Sequence, residues 1–327
     1  MHIVIVNDAR RNTKSLFRYE KKHVDAIKRI SPSSTVTVVE KHSPRRNSVL
    51  ADAEILILES ISQEELHRAK KLRWIHATAA GVADLIAILH SHPVLLTSSS
   101  GVHPIPIAEH VFTYLLMFAR QMHRMYRMPL PEKRWNRDAE LYPIFELHGK
   151  TIGIVGYGRI GEEIARVAKG FSMRVLACSS LKKSSSVIDR SYTTDEMSLL
   201  LPESDFIINC LPYTPKTRNL FDYQSFRRMK RTAYFINIGR GQTVVEADMV
   251  KALKNKTIAG AGLDVFAEEP LPEKSPLWKM ENVIVTPHIA GWTPHYIDRM
   301  IGIFCRNLSA YLSDQPMPTL VDKERGY

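Results

Sequence analysis

Apolar and polar residues follow two rhythms along this chain. Short apolar runs at Ile3–Val6, Thr35–Val39, Glu54–Leu58, Leu72–His76 and Val94–Thr97 read as strands buried on both faces. Between them lie segments with apolar residues at helical spacing, such as Leu16–Ile30 and Gln63–Lys71, the latter opened by Ser62 and Glu65 in a capping-box pattern. A long apolar stretch, Val102 to Ala119, carries His103, Glu109 and His110 and therefore reads as a buried helix, running from about Ile105 to Arg124. The segment Met128 to Leu147 is charged and interrupted by Pro129, Pro131 and Pro143, so no helix continues through it.

The alternation then resumes. Strands are predicted at Thr151–Val155, Arg174–Cys178, Phe206–Cys210, Tyr234–Ile238, Ala259–Asp264 and Val283–Thr286, with helices to Phe171 and over Thr194–Leu201, Tyr223–Met229 and Glu246–Lys254. One more long helix, about Pro294 to Leu312, leads to a polar tail. Strands and helices taking turns in this way predict parallel α/β architecture, and 327 residues suffice for about two domains.

Composition refines that picture. No window holds the uninterrupted apolar run that a membrane span needs, and the chain enters a strand-like run at once without a leader pattern, which predicts a cytoplasmic protein. Cys178, Cys210 and Cys305 are too few and too scattered for a disulfide framework, and no metal site is expected. The formal charge of +11 is dispersed, with short clusters at Lys41–Arg46, Lys182–Lys183 and Arg227–Arg231. That distribution favours a basic surface attracting small anions over a nucleic-acid face.

The candidate chemistry begins after the strand Thr151–Val155. Gly156-Tyr157-Gly158-Arg159-Ile160-Gly161 stands between a strand and a helix, the context a dinucleotide pyrophosphate needs. At the end of the next strand, where a carboxylate usually receives the adenosine ribose, stands Ser179, followed by Lys182 and Lys183. Without a carboxylate there, a 2′-phosphate meets no repulsion, which predicts preference for NADP with NAD also accepted. Three later strands end near Arg240, near Glu268-Glu269-Pro270 and at His288. Carboxyl ends of strands face the ligand crevice in an open parallel sheet, so these side chains are candidates to converge.

Together with Leu211-Pro212-Tyr213-Thr214-Pro215-Lys216-Thr217 and the run Gly241 to Leu253, these motifs strongly resemble the D-isomer-specific 2-hydroxyacid dehydrogenase family, most closely its short glyoxylate/hydroxypyruvate reductase-like members. The resemblance covers nearly the whole chain. It implies catalytic Arg240, Glu269 and His288, with Glu269 preferred to Glu268 because it precedes Pro270. It implies that Asp264 contacts the nicotinamide carboxamide, that Arg159, Ile160, Leu211, Pro212, Thr217, Ile238 and Gly291 join the cofactor site, and that Ala80 and Gly81 in the Ala79–Val82 loop bind substrate. It further implies a flavodoxin-like substrate domain of residues 1–100 plus 293–327, a Rossmann domain of residues 101–292, and a homodimer formed through the helix after Ile105 and the Pro-rich excursion.

The residues suit a 2-keto acid reduced by hydride. A planar guanidinium at Arg240 can hold the carboxylate and polarise the adjacent carbonyl. His288 can give the oxygen its proton, with Glu269 orienting the ring. Two rivals stand beside this: a dehydrogenase of another small anion such as phosphite or formate, and a non-catalytic dinucleotide-sensing scaffold. Trp292 either walls the substrate pocket or packs the returning helix; Trp135 either reaches a partner's cleft or caps its own core. His110 reads as structural, and His2, His23, His42, His67, His90 and His92 have no partner legible in the sequence.

Overall fold

The computed structural model describes residues 1–7, 18–128 and 143–324. The chain divides into two compact units, Met1–Val102 with Trp292–Tyr327, and His103–Gly291. Trp135 lies outside the described residues.

In the first unit, strands β1 (His2–Asn7), β2 (Thr35–Glu40), β3 (Ile55–Leu58), β4 (Trp74–Ala77) and β5 (Leu95–Thr97) form one parallel sheet in the order β2-β1-β3-β4-β5. That is the flavodoxin-like order. Alternate strand residues point to opposite faces. Ile3, Ile5, Ile55, Ile57 and Trp74 therefore pack with α1 (Lys21–Ile30) and the returning helix, Tyr296–Leu312. Val4, Val6, Leu56, Leu58 and Ile75 pack with α2 (Arg46–Ala51), α3 (Gln63–Arg68) and α4 (Ala83–Leu89). Ser62 caps α3 in a reciprocal box with Glu65, as its spacing predicts. His23 gains a partner from far along the chain, its Nε2 lying 2.8 Å from Asp298 Oδ1.

In the second unit, seven parallel strands run in the order β12-β11-β10-β9-β6-β7-β8. They are β6 (Thr151–Val155), β7 (Arg174–Ser179), β8 (Arg190–Thr193), β9 (Phe206–Asn209), β10 (Tyr234–Asn237), β11 (Gly260–Leu263) and β12 (Val283–Val285). Order reverses between β6 and β9, which makes the carboxyl end of β6 a switch point of the Rossmann type. One face of this sheet is covered by α5 (Pro104–Ala119) and α7 (Arg159–Gly170), through Val111, Leu115, Phe118, Ile164 and Ala168. The opposite face is covered by α8 (Met197–Leu200), α9 (Tyr223–Arg228) and α10 (Glu246–Lys254) through Leu200, Phe226, Met249 and Leu253.

The structure departs from the expectations at four places. The single helix from Ile105 to Arg124 is two, α5 and α6 (Met122–Arg127), separated by Gln121 at φ +54°. Gln121 turns left-handed and donates from Nε2 to Phe118 O at 2.9 Å, closing α5 without a glycine. The predicted helix Thr194–Leu201 breaks into a 3-10 turn, the short α8 and a second 3-10 turn containing Pro202. Strand β8 was hidden because only Tyr192 of its four residues is buried. The returning helix, α11, starts at Tyr296 rather than Pro294. No helix among the described residues is long and apolar enough to cross a membrane.

Candidate active site

At the switch point the three glycines of the turn do different things. Gly156 sits at φ +95°, and a Cβ there would lie 2.8 Å from the backbone carbon of Cys210. Gly161 lets α7 close on β6, since a Cβ would meet Ile154 Cγ2 at 3.0 Å. Around Gly158, which caps α7, a Cβ would meet nothing within 4 Å. The backbone at Gly158 is therefore open toward free space at the N-terminus of α7, the position at which a helix can receive a pyrophosphate. Arg159 and Ile160 begin the helix directly after it.

The next strand ends at Ser179, whose hydroxyl donates to Leu181 O at 2.5 Å. Lys182 pairs with Glu196 Oε1 at 3.0 Å, and the Lys183 N–H donates to Ser191 Oγ at 2.8 Å. Glu196 is a carboxylate that the strand-end sequence did not reveal. It arrives from the turn after β8, where it also closes a capping box with Thr193.

The loops after β9, β10, β11 and β12 carry the remaining candidates. After β9, Leu211 N–H donates to Asn209 Oδ1 at 3.2 Å, and Thr217 Oγ1 donates to Pro212 O at 2.7 Å. After β10, Ile238 leads to Arg240, an exposed residue whose guanidinium donates to Gly239 O at 2.7 Å. Its main chain is fixed from below: Thr243 Oγ1 donates to Arg240 O at 2.6 Å and accepts from Asn209 Nδ2 at 2.7 Å. Asn209 Nδ2 also donates to Asn237 Oδ1 at 2.9 Å, so a buried amide pair underlies both loops. The next residue, Gly241, leaves no room at all: a Cβ would lie 1.8 Å from Phe266 in the β11 loop.

From that β11 loop Glu269, not Glu268, reaches the histidine. Its Oε2 lies 2.7 Å from His288 Nδ1, while its Oε1 accepts the Phe266 N–H at 3.0 Å. The Glu269–Pro270 peptide is cis. His288 sits at φ +55°, uncommon for a residue with a side chain, and its N–H donates to Asp264 O at 2.9 Å. Its Nε2 has no partner among the described residues, and the side chain is half-exposed.

Asp264 is the anchor of this loop. Only 2% exposed, it accepts N–H groups of Ile289 and Ala290, each at 2.9 Å, and the Thr286 hydroxyl at 2.5 Å. Thr286 in turn bonds to the Tyr114 hydroxyl, and lies 3.1 Å from His110 Nε2, both on α5. Burial pushes the Tyr114 hydroxyl up and the His110 ring down, although the Asp264 carboxylate opposes the latter shift. Gly291 closes the loop against His103, whose Cδ2 would lie 2.8 Å from an added Cβ. Burial, and then the Arg240 charge, push the His103 ring down.

In the first unit, Ala80 and Gly81 lie in the loop between the carboxyl end of β4 and α4. Trp292 belongs to the same unit and is 50% exposed.

A family model described as the NAD binding domain of D-isomer specific 2-hydroxyacid dehydrogenases matches residues 112–290. The chain belongs to the D-isomer specific 2-hydroxyacid dehydrogenase family. The glyoxylate reductase of Pyrococcus furiosus is 37% identical over 280 residues, covering 84% of this chain and 83% of that relative. The glyoxylate reductase of Korarchaeum cryptofilum is 35% identical over 274 residues, 82% of each chain. Among solved structures, a D-isomer specific 2-hydroxyacid dehydrogenase family protein from Aeromonas salmonicida matches with TM-score 0.82 and 29% identity, covering 98% of this chain and 99% of that one. The NADPH-dependent glyoxylate/hydroxypyruvate reductase of Sinorhizobium meliloti, solved with NADP and sulfate, matches with TM-score 0.80 and 25% identity over 100% of both chains.

Sequence reasoning about this 2-hydroxyacid dehydrogenase missed Asn209, Asn237, Thr243, Thr286 and Tyr114. Asn209, Asn237, Thr243 and Tyr114 have neither a glycine nor a proline beside them, and Thr286, which precedes Pro287, reads only as the end of the strand before His288. A signal was nonetheless present, because Asn209 and Asn237 are polar residues ending otherwise apolar strands, and such groups need partners when buried.

Proposed function

We propose that this chain reduces a small 2-keto acid of the glyoxylate or hydroxypyruvate type to the D-2-hydroxy acid, preferring NADPH and also accepting NADH. The observation that carries this is the 2.7 Å contact between Glu269 and His288, on a loop end beside the one bearing Arg240. A reduced nicotinamide supplies the hydride; its pyrophosphate fits the open face of Gly158 and the start of α7. Arg240 binds the keto acid and polarises its carbonyl. His288 enters the reaction protonated on both ring nitrogens. Nδ1–H donates to Glu269, and Nε2–H gives its proton to the oxygen of C2 as that carbon gains the hydride. In the reverse direction neutral His288 removes the hydroxyl proton. Ala80 and Gly81 are assigned to the substrate carboxylate. Asp264 serves the nicotinamide side by holding the Thr286–Ala290 backbone, and its role toward the carboxamide is part of the same proposal.

NADPH preference is supported by Ser179 at the strand end and by two lysines beyond it. The proposal extends to a homodimer through α5 and α6, where Leu116, Met122, Met125 and Tyr126 are exposed apolar side chains. A cytoplasmic site of action accords with three free cysteines and an intracellular cofactor.

The test is turnover of glyoxylate, hydroxypyruvate, pyruvate, formate and phosphite, each with the matching cofactor redox state. Reduction of the keto acids by NADPH with the highest kcat/KM supports the proposal. Oxidation of formate or phosphite in preference, or cofactor binding without any turnover, overturns it.

A further inference from the structure

The loop after β4 is held by successive carbonyl oxygens. Ser99 Oγ donates to Ala77 O at 2.7 Å, and the Tyr296 hydroxyl donates to Thr78 O at 2.6 Å. The Ser99 N–H donates to Ala79 O at 3.0 Å. A planar trans peptide sets its N–H antiparallel to its C=O. With the carbonyls of Thr78 and Ala79 drawn toward the protein, the N–H groups of Ala79 and Ala80 are turned the other way. Neither these nor the N–H of Gly81 donates to any described residue. Ala79 and Ala80 are half-buried and Gly81 is exposed. Consecutive free N–H groups form a concavity that attracts anions.

The holding groups are themselves fixed. Ser99 is fully buried, and its Oγ lies 3.3 Å from His76 Nε2. His76 Nδ1 lies 2.7 Å from Thr97 Oγ1, which also accepts the Trp74 indole N–H at 2.8 Å. Burial pushes His76 down to about 3, so the ring is neutral at working pH. Tyr296 stands on the first turn of α11 and is 8% exposed. Burial, aided by the Glu59 carboxylate, pushes its hydroxyl up to about 12 and keeps it a donor.

We propose that Tyr296 and Ser99 are positioning residues for the substrate, aiming the N–H groups of Ala79 and Ala80 at the keto-acid carboxylate by pinning the carbonyls of Thr78 and Ala79 behind them. The inference deepens the function proposed above and rests on that loop being the carboxylate subsite. Nothing in the local sequence around Ala80 announces Tyr296, which arrives from the far end of the chain.

Tyr296→Phe removes one hydroxyl and keeps the ring. The expected result is a KM for glyoxylate raised roughly tenfold, the factor that one net hydrogen bond supplies, with kcat at saturation much less affected. The affinity of the NADPH-loaded enzyme for oxamate, a carboxylate probe that cannot be reduced, should fall by the same factor while NADPH affinity stays unchanged. Ser99→Ala repeats the test from the other side. It removes the side-chain bonds to Ala77 and His76 that fix Ser99 in place but keeps its backbone bond to Ala79, so a smaller rise, of a few-fold, is expected from a loosened Ser99. A lower Tm or less active enzyme with KM and oxamate affinity unchanged would show a merely structural role and overturn the inference. Arg240→Lys in parallel separates the two levels. If it raises the KM and Tyr296→Phe does not, only the positioning role fails; if neither raises it, the substrate site itself has been misassigned.

Discussion

Two ends of the seven-stranded sheet make an instructive contrast. At β11 and β12 the His288 loop is tied to a 2% exposed carboxylate, two backbone N–H groups and a hydroxyl, with Tyr114 and His110 behind. At β7, Ser179, Lys182 and Lys183 make local or exposed contacts, the Lys182–Glu196 pair among them. Buried hydrogen bonds to a charged group are strong and costly to leave half-made, whereas exposed ion pairs hold weakly and are screened by salt. The end assigned to proton transfer is therefore expected to be rigid and intolerant, and the end proposed to discriminate between cofactors to be adjustable.

The largest effect should come from His288→Ala. With no group to move the proton, kcat should drop about 10²–10⁴-fold while NADPH still binds, as read by fluorescence titration. Near-native turnover would remove the histidine from the mechanism. Asp264→Asn comes next, because an amide nitrogen must then face one of the donors from Ile289, Ala290 or Thr286. A penalty of about 1–3 kcal/mol on the catalytic loop geometry corresponds to a fall in kcat of roughly tenfold to a hundredfold. If kcat were unchanged, the loop would not depend on its anchor and the contrast would lose its rigid half.

At the adjustable end, Ser179→Asp should move the ratio of kcat/KM values toward NADH by about tenfold, since a carboxylate accepts from ribose hydroxyls and repels a phosphate. A ratio that stays put would place the phosphate elsewhere. The smallest effect belongs to Glu196→Gln. Releasing Lys182 from its carboxylate should strengthen NADPH binding a few-fold, and the gain should shrink as ionic strength rises from about 0.01 M to 0.5 M. A gain insensitive to salt would argue that Lys182 acts through something other than charge.

The same contrast explains what could be read from the residues alone. Strands such as Ile3–Val6 and Thr151–Val155 were legible because burial on both faces writes a continuous apolar run. β8 was not, being an edge strand with one buried residue, and neither was the break at Gln121, where a side chain does what glycine usually does. In the site, Gly156, Gly158, Gly161, Glu269 and His288 announced themselves through turns and prolines. The Asp264–Thr286–Tyr114 chain did not, because it joins residues 172 positions apart through packing that only the closed sheet creates. Glu196 was missed for another reason: the strand that presents it was itself unseen.

Gly241 carries a consequence for how such an enzyme can change over generations. With Phe266 so near, no side chain fits there, and the Arg240 and Glu269 loops are moulded to each other across that gap. A lineage cannot reshape one of these loops by small steps while leaving the other as it was. On the proposed assignment of Ala80 to the substrate, new preferences are then more accessible through positions outside this seam, and a saturation library at Gly241 should return the parent residue alone.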